Sequence, residues 1–567
     1  MSRLDWIVLA ITLTGIIAYG LYKSRTTKNL DGYFLSNRSM PWYLILLSIM
    51  GTQASAVTFL SAPGQAYTDG MRFVQYYFGL PLAMVLLCVT FVPMFHKLKV
   101  HTAYEYLENR FDLKTRALTS FLFLLQRGVS TGISIYAPAI ILSSLLGWNI
   151  YWTNIVMGGL LIIYTVTGGA KAVAYTQQLQ LIIIFAGMFI AAYMLVHLLP
   201  EGIGLVDALK VGGKLGKLNV ITSGVEKGSF NWSDRYNIWS GVIGGFFFAL
   251  SYFGTDQSQV GRYLTAKNLK ESRVGLLMNG LVKVPMQFAI LLIGVLVFTF
   301  YQFNNAPLFF NEVQVNKVAN TPYKDSLRVM QLQYTLLSKE KTLTVAKWIE
   351  EGKLNADQKA SEEKLKLLNR QTDTIRTGFK GLIKKSGIGG DASDTNYIFL
   401  RFVIDHLPMG VVGLLIAVIF LAAWGSIAAA LNSLASASVI DFHKKFFKKN
   451  CTDLQDYSTS RWYSFGWGIF SIVVAMFATN MGSLIEAVNI LGSLFYGVIL
   501  GVFLVAYYLK HVKGNAVFIS AVITELSIFV LFWKTSLGFL WMCMVGAFGV
   551  VILSLLLQLF YNRKISS

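Results

Sequence analysis

The chain has 567 residues, of which 54% are hydrophobic and 14% charged, with a mean hydropathy of +0.55. A soluble domain carries about 25% charged residues, so this composition excludes a soluble enzyme and defines a polytopic membrane protein. The formal net charge of +20 is the excess of Lys and Arg that flanks membrane spans, which excludes nucleic acid as a partner.

A helical span needs about 20 apolar residues, and about thirteen such runs follow in chain order. They lie near 5–22, 42–63, 73–95, 117–146, 150–168, 174–199, 237–256, 274–303, 408–440, 461–480, 484–508, 514–533 and 537–561. The first is expected to stay as a span: Asp5 precedes it, Lys23 and Arg25 follow it, and a small-residue cleavage site is missing. Basic residues collect in alternate loops: Lys23, Arg25, Lys28 and Arg38; Lys97, Lys99, Lys114 and Arg116; Arg262, Lys267, Lys270 and Arg273; Lys444, Lys445, Lys448 and Lys449; Lys510 and Lys513; Arg563 and Lys564. Those loops are read as cytoplasmic. The N-terminus is then extracytoplasmic and the C-terminus cytoplasmic, in the cell membrane. Cys88, Cys451 and Cys543 are far apart and form neither a disulfide framework nor a metal spacing.

Two opposite-side loops are long, 200–236 and 304–396. The second is highly charged, yet Leu365, Leu368, Ile375, Phe379 and Leu382 recur at three- and four-residue steps, a helical stripe. A small helical cap is expected there, acting as a lid or receiving an extracytoplasmic partner.

Ser48–Gly64 breaks the pattern of an ordinary span. Gly51, Thr52, Gln53, Ala54, Ser55 and Thr58 sit at its centre and Pro63-Gly64 at its end. In hydrocarbon, freed backbone groups must be satisfied internally or line a cavity, and transporters bind solutes at such breaks. A second interruption is expected in 408–440, where Ala422, Gly425, Ser426, Ala428 and Ala429 form one small face. A third is expected at Gly254, beside Tyr252 and Phe253. Asp256 and Arg262 follow it, as a gate pair or an interfacial ion pair. Arg127 and Lys283 lie inside spans, where an unpaired charge costs roughly 3 kcal/mol or more. Arg127 is a candidate anchor for a carboxylate, with a buried structural pair as the alternative. Lys283 is expected to hold the broken helix near Tyr252 or Asp256. No phosphate loop, nucleophile elbow or metal-ligand spacing marks an enzyme.

Several segments together resemble the sodium:solute symporter family: DGYFLSNRSMPW (31–42), TFLSAPGQAY (58–67), YEYLENRF (104–111), IYAPA (135–139), TGGAKAVAYTQQLQ (167–180), GTDQSQVGRYLTAK (254–267) and ALNS (430–433) leading to Asp441. The tone is that of the iodide, multivitamin and monocarboxylate branch. The resemblance implies an all-α polytopic membrane protein of the leucine-transporter type, with an inverted-repeat core at 42–508. Residues 1–41 would hold a first helix and linker, and 509–567 two further helices. It implies Na⁺ as the coupling ion, with no other cofactor. Sodium would be held by Gly51, Ala54, Ala422, Gly425 and Ser426. Solute would be lined by Thr52, Gln53, Thr58, Gln75, Tyr76, Tyr77, Arg127 and Phe253. Tyr252, with Asp256 and Lys283, would form the gate.

The chain departs from the family at telling positions. Gly425-Ser426 stands where two adjacent hydroxyl residues are common. Gln177, Ala428 and Ala429 replace the oxygen donors of a second sodium site. Thr58, Tyr77 and Ala249 replace sugar-binding polar residues. The expected activity is therefore sodium-coupled import of a small organic solute, an organic anion rather than a hexose, with one Na⁺ at most. An uncoupled or proton-coupled carrier of the same fold is the alternative, and a transporter-like sensor ranks last.

Overall fold

A computed structural model describes residues 1–23, 30–388, 391–448, 452–478 and 481–566. Arg25, Lys28, Lys449 and Cys451 lie outside them, as do the side chains of Lys23, Thr167, Gly168, Gly169, Arg563 and Lys564.

Helix α1 (Arg3–Lys23) comes first. The expected 42–63 span is two helices, α2 (Trp42–Gln53) and α3 (Ala56–Asp69). Pro63 does not end the second: α3 runs through it for six more residues. A 3-10 stretch, Gly70–Tyr77, leads to α4 (Leu80–Val89) and α5 (Phe91–Leu98). Next come α6 (Leu113–Leu146) and α7 (Ile150–His197). The two spans expected at 150–168 and 174–199 are thus one continuous helix. At 1.5 Å per residue it would be about 72 Å long if straight, over twice the hydrocarbon thickness.

The expected 237–256 span ends as α8 (Gly245–Thr255), followed by the short α9 (Gln257–Tyr263). Helix α10 (Leu269–Phe303) leads to the 304–396 segment. That segment is helical as expected, built on the antiparallel pair α11 (Lys324–Lys353) and α12 (Lys359–Lys385). The stripe residues Leu365, Leu368, Phe379 and Leu382 are its buried face. Helix α13 (Ile398–His406) returns the chain to α14 (Val411–Ala437). The order closes with α15 (Asp453–Met476), α16 (Leu484–Tyr508), α17 (Gly514–Lys534) and α18 (Phe539–Ser566). Among the described residues, nine helical stretches are long and apolar enough to cross a membrane, and three shorter apolar helices accompany them.

Helix α14 corrects one expectation. It is unbroken, and continues as a π-helical stretch, Ser438–Phe447. Its small residues serve close packing, as at membrane helix interfaces generally: Ala428 and Ala429 pack on Val173 of α7 in a fully apolar cluster. At the π-helical end the buried Asp441 is tied to α6. It accepts from Arg116 Nε at 2.8 Å and Ser120 Oγ at 2.9 Å, and from Thr102 Oγ1 at 2.8 Å.

Candidate functional site

The first break is one turn of rearranged backbone. Ala54 N–H closes the last turn of α2 on Met50 O at 2.7 Å, but Ser55 N–H turns to Gln53 O at 2.9 Å and Thr58 N–H to Ser55 O at 2.9 Å. In a continuous helix those two amides would bond the carbonyls of Gly51 and Ala54. Both nominated carbonyls therefore lose their helical donors. The break itself falls at Ala54–Ser55, after Gly51 rather than around it. Gly51 is required for another reason: a Cβ there would lie 2.9 Å from Cβ and Cγ of Gln177.

Gln177, on α7, bridges this break to α14. Its Nε2 donates to Thr52 Oγ1 at 3.2 Å and to Gly425 O at 3.0 Å, and its Oε1 accepts from Ser48 Oγ at 2.8 Å. The Gly425 carbonyl is thus taken. Ser426 Oγ donates to Ala422 O at 3.0 Å and Ala423 O at 3.1 Å, which leaves its lone pairs available. Ser426 faces a cavity of about 70 Å³ that Thr52, Ser55, Ser130 and Thr131 also line. A Cβ at Gly425 would overlap Gln180 Oε1, so any side chain there has to displace the end of Gln180.

The second break is at Asp256, two residues beyond Gly254. Asp256 is extended (φ −76°, ψ 117°), and its carboxylate caps α9 by accepting from Ser258 N at 2.7 Å. A capping side chain sets a helix start, so it decides the break more firmly than the glycine. Gly254 instead admits neighbours: its Cβ would lie 2.8 Å from Leu87. Asp256 does not pair with Arg262. It accepts from Tyr496 OH at 2.7 Å and lies 3.9 Å from Arg127 Nη1. Arg262 is buried, and its Nε has no hydrogen-bond partner.

A cavity of about 110 Å³ lies between the two breaks. Gln53, Thr58, Tyr76, Tyr77, Arg127 and Phe253 line it as expected, together with Tyr252 and Lys283. Tyr252 OH accepts from Gln259 Nε2 at 2.7 Å, and its ring lies 5.7 Å from that of Tyr496. Lys283 is 1% exposed, with Nζ 5.6 Å from the Tyr77 ring centre, and makes no ion pair among the described residues. It does not hold Asp256. Two nominated residues fall elsewhere. Gln75 spends its amide on Thr222 and Tyr236 O, at 3.1 Å each, outside the cavity. Thr52 lines only the smaller cavity.

Sequence reasoning missed Ser55, Ser130, Thr131, Ser134, Asn489 and Tyr496, which line one cavity or the other. A signal existed for three of them: Arg127, Ser130, Thr131 and Ser134 repeat at helical spacing on an otherwise apolar span. Gln177 was read only as a missing sodium ligand, and its bridging role gave no signal. Glu525 of α17 also escaped notice; it is a buried intramembrane acid with both oxygens unpartnered.

Paired broken helices around a central cavity define a carrier of the leucine-transporter type. The sequence model of the sodium:solute symporter family matches residues 33–322 and 378–524, and the chain belongs to that family. It is 25% identical to the sodium/sialic acid symporter NanT of Aliivibrio fischeri, over 100% of this chain and 95% of that one. Identity is also 25% to the sodium-dependent multivitamin transporter of Oryctolagus cuniculus, over 88% and 66% of the two chains. It reaches 31% to the human sodium-coupled monocarboxylate transporter 1, over 48% and 44%. The fold matches a solved Na⁺-coupled sialic acid symporter in a substrate-bound, outward-open state, with a TM-score of 0.75, 22% identity and coverage of 99% and 98%. The protein is accordingly a sodium-coupled symporter of a small solute, working by alternating access.

Proposed function

We propose that the solute is a small organic anion, carried into the cell with one Na⁺, by a chain whose N-terminus is extracytoplasmic. One observation carries the choice of solute: among the described residues, the charged ones lining the central cavity are Arg127 and Lys283, with no carboxylate beside them in the lining. Arg127 spends part of its guanidinium on Asp256 at 3.9 Å, while its Nε stays unpartnered. Lys283 has no acid. An anion would give Lys283 the counter-ion it lacks and Arg127 a second acceptor beside Asp256, since a buried cation without a partner is costly. Relatives named for sialic acid and monocarboxylates are consistent with an organic acid.

Sodium would lie at the seam of α2 and α14, on the carbonyls of Gly51 and Ala54 that have lost their helical donors and on the Ser426 hydroxyl; the carbonyls of Ala422 and Gly425 already accept from side chains. Hard cations take such oxygen sets. A second ion is disfavoured, because the amide of Gln177 and the apolar contact of Ala428, Ala429 and Val173 fill the place where its oxygens would be needed. The test is uptake by purified protein in liposomes with an inward Na⁺ gradient. Organic acids should enter or compete and hexoses should not. A hexose that competes as well as any acid overturns the reading.

A further inference from the structure

The family match leaves out residues 323–377, which hold all of α11 and most of α12. One face of α11 is committed: Leu327, Tyr334, Ser338, Lys341, Val345 and Trp348 are buried. The opposite face carries Asp325, Val329, Leu332, Leu336, Glu340, Leu343 and Lys347, all exposed. Val329, Leu332, Leu336 and Leu343 expose 54%, 65%, 60% and 73% of their surface. A run of exposed apolar residues on a helix outside the membrane marks an interaction surface.

The spacing indicates what covers it. The steps along this face are four, three, four, four, three, four, the same read from either end. At 3.6 residues per turn all seven residues fall within about 40° of Leu336 around the helix. An antiparallel copy, related by a two-fold axis through Leu336, sets Leu336 against Leu336 and Val329 against Leu343. The same axis sets Asp325 of each copy beside Lys347 of the other, so opposite charges meet at both ends of an apolar seam. Asp325 has no ion pair among the described residues. Lys347 reaches Glu351 of its own helix only at 3.7 Å. Glu340, which would face Leu332, is drawn aside by Lys364 of α12 at 2.7 Å. Three- and four-residue alternation is the seam of paired helices, and a self-complementary patch closes a two-fold dimer.

We propose that this face of α11 docks on the same face of a second copy of this chain. The protein purified in detergent, where neither copy is confined to one plane, should have the mass of two chains by light scattering. Leu336→Glu should reduce it to one chain that stays folded, because Leu336 is 60% exposed within its own chain. Asp325→Lys should weaken the dimer at least tenfold, and Asp325→Lys combined with Lys347→Asp should restore it. With Cys88, Cys451 and Cys543 replaced by alanine, Leu336→Cys should form a disulfide-linked dimer on oxidation. Thr335→Cys, exposed but a quarter turn away, should not. A single-chain mass for the unaltered protein overturns the proposal. So does equal cross-linking at both positions, a charge swap that rescues nothing, or a different protein that co-purifies and is released by Leu336→Glu. None of these outcomes depends on which solute is carried.

Discussion

Two glutamines and a glycine pack the seam where sodium is proposed to lie. Gln177 holds α2 and α14 together through a neutral amide, and Gln180 occupies the space a side chain at 425 would need. Gly425→Ser would restore the hydroxyl pair common in the family, yet it should destabilise the protein by ~1–3 kcal/mol, the usual cost of overpacking. Adding Gln180→Ala should recover most of that loss, and melting temperatures of the three variants check it. On the solute side, a charge-assisted hydrogen bond contributes about 1.5–3 kcal/mol, and 1.4 kcal/mol is about a factor of ten in affinity. Lys283→Gln is therefore expected to raise the half-saturating solute concentration about tenfold or more while leaving that of Na⁺ unchanged. An unchanged solute KM in uptake assays would remove Lys283 from the solute site. Arg127 and Lys283 were both legible as charges inside apolar runs. Which of them keeps a counter-ion was not, because the partner, Asp256, is 129 residues from Arg127 in sequence and only folding brings the two together.

At the scale of elements, the breaks were legible and their edges were not. Small polar residues in an apolar run announced the first interruption and a glycine beside two aromatic residues the second, but hydrogen bonds at Ser55 and the cap at Asp256 fixed where each fell. The same small-residue signal misled at 408–440, since close helix packing and a broken helix ask for the same residues; only Val173 lying against Ala428 and Ala429 tells them apart. The helical character of 304–396 was legible from its stripe, but its connection to the core was not. Its last segment, 391–397, fastens α3 to the start of α16. Ser61 Oγ donates to Asn396 Oδ1 at 2.7 Å, and Asn396 Nδ2 to Gly482 O at 2.8 Å. A Cβ at Gly64 would overlap the Thr395 carbonyl. Within this plug, burial pushes the Asp391 carboxyl up from 3.8 to about 6, with Asp394 adding to the shift and Lys380 opposing it. Between those values the folded chain holds a proton that the unfolded chain has released. Stability is therefore lost as pH rises from about 4 to about 6, by roughly 3 kcal/mol in all. Asp391→Asn should abolish this part of the slope. The melting-temperature difference between variant and wild type, at pH 4.5 and at pH 7, measures it.

For the whole molecule, the two halves of the reading combine in the charge moved per cycle. The cavity presents two cations, one of them already near a fixed carboxylate, and so suits a solute of one negative charge. On the proposed reading, the seam between α2 and α14 offers oxygens for one sodium, and Gln177, Ala428 and Ala429 stand where a second would need its oxygens. One cation travelling with one monovalent anion moves no net charge. Moving one elementary charge across a membrane is worth about 2.3 kcal/mol per 100 mV, a term that would drive transport strongly if a second sodium travelled. Uptake into liposomes should therefore respond to the Na⁺ gradient and stay unchanged when a potassium diffusion potential of either sign is imposed with an ionophore. The ratio of labelled Na⁺ to labelled solute should be one. Acceleration by an inside-negative potential, together with a ratio of two, would mean that a second sodium finds oxygens despite Gln177, and the seam would have to open by a rearrangement of that amide. Acceleration at a ratio of one would instead mean a neutral solute, and Arg127 and Lys283 would then have to be neutralised within the protein itself.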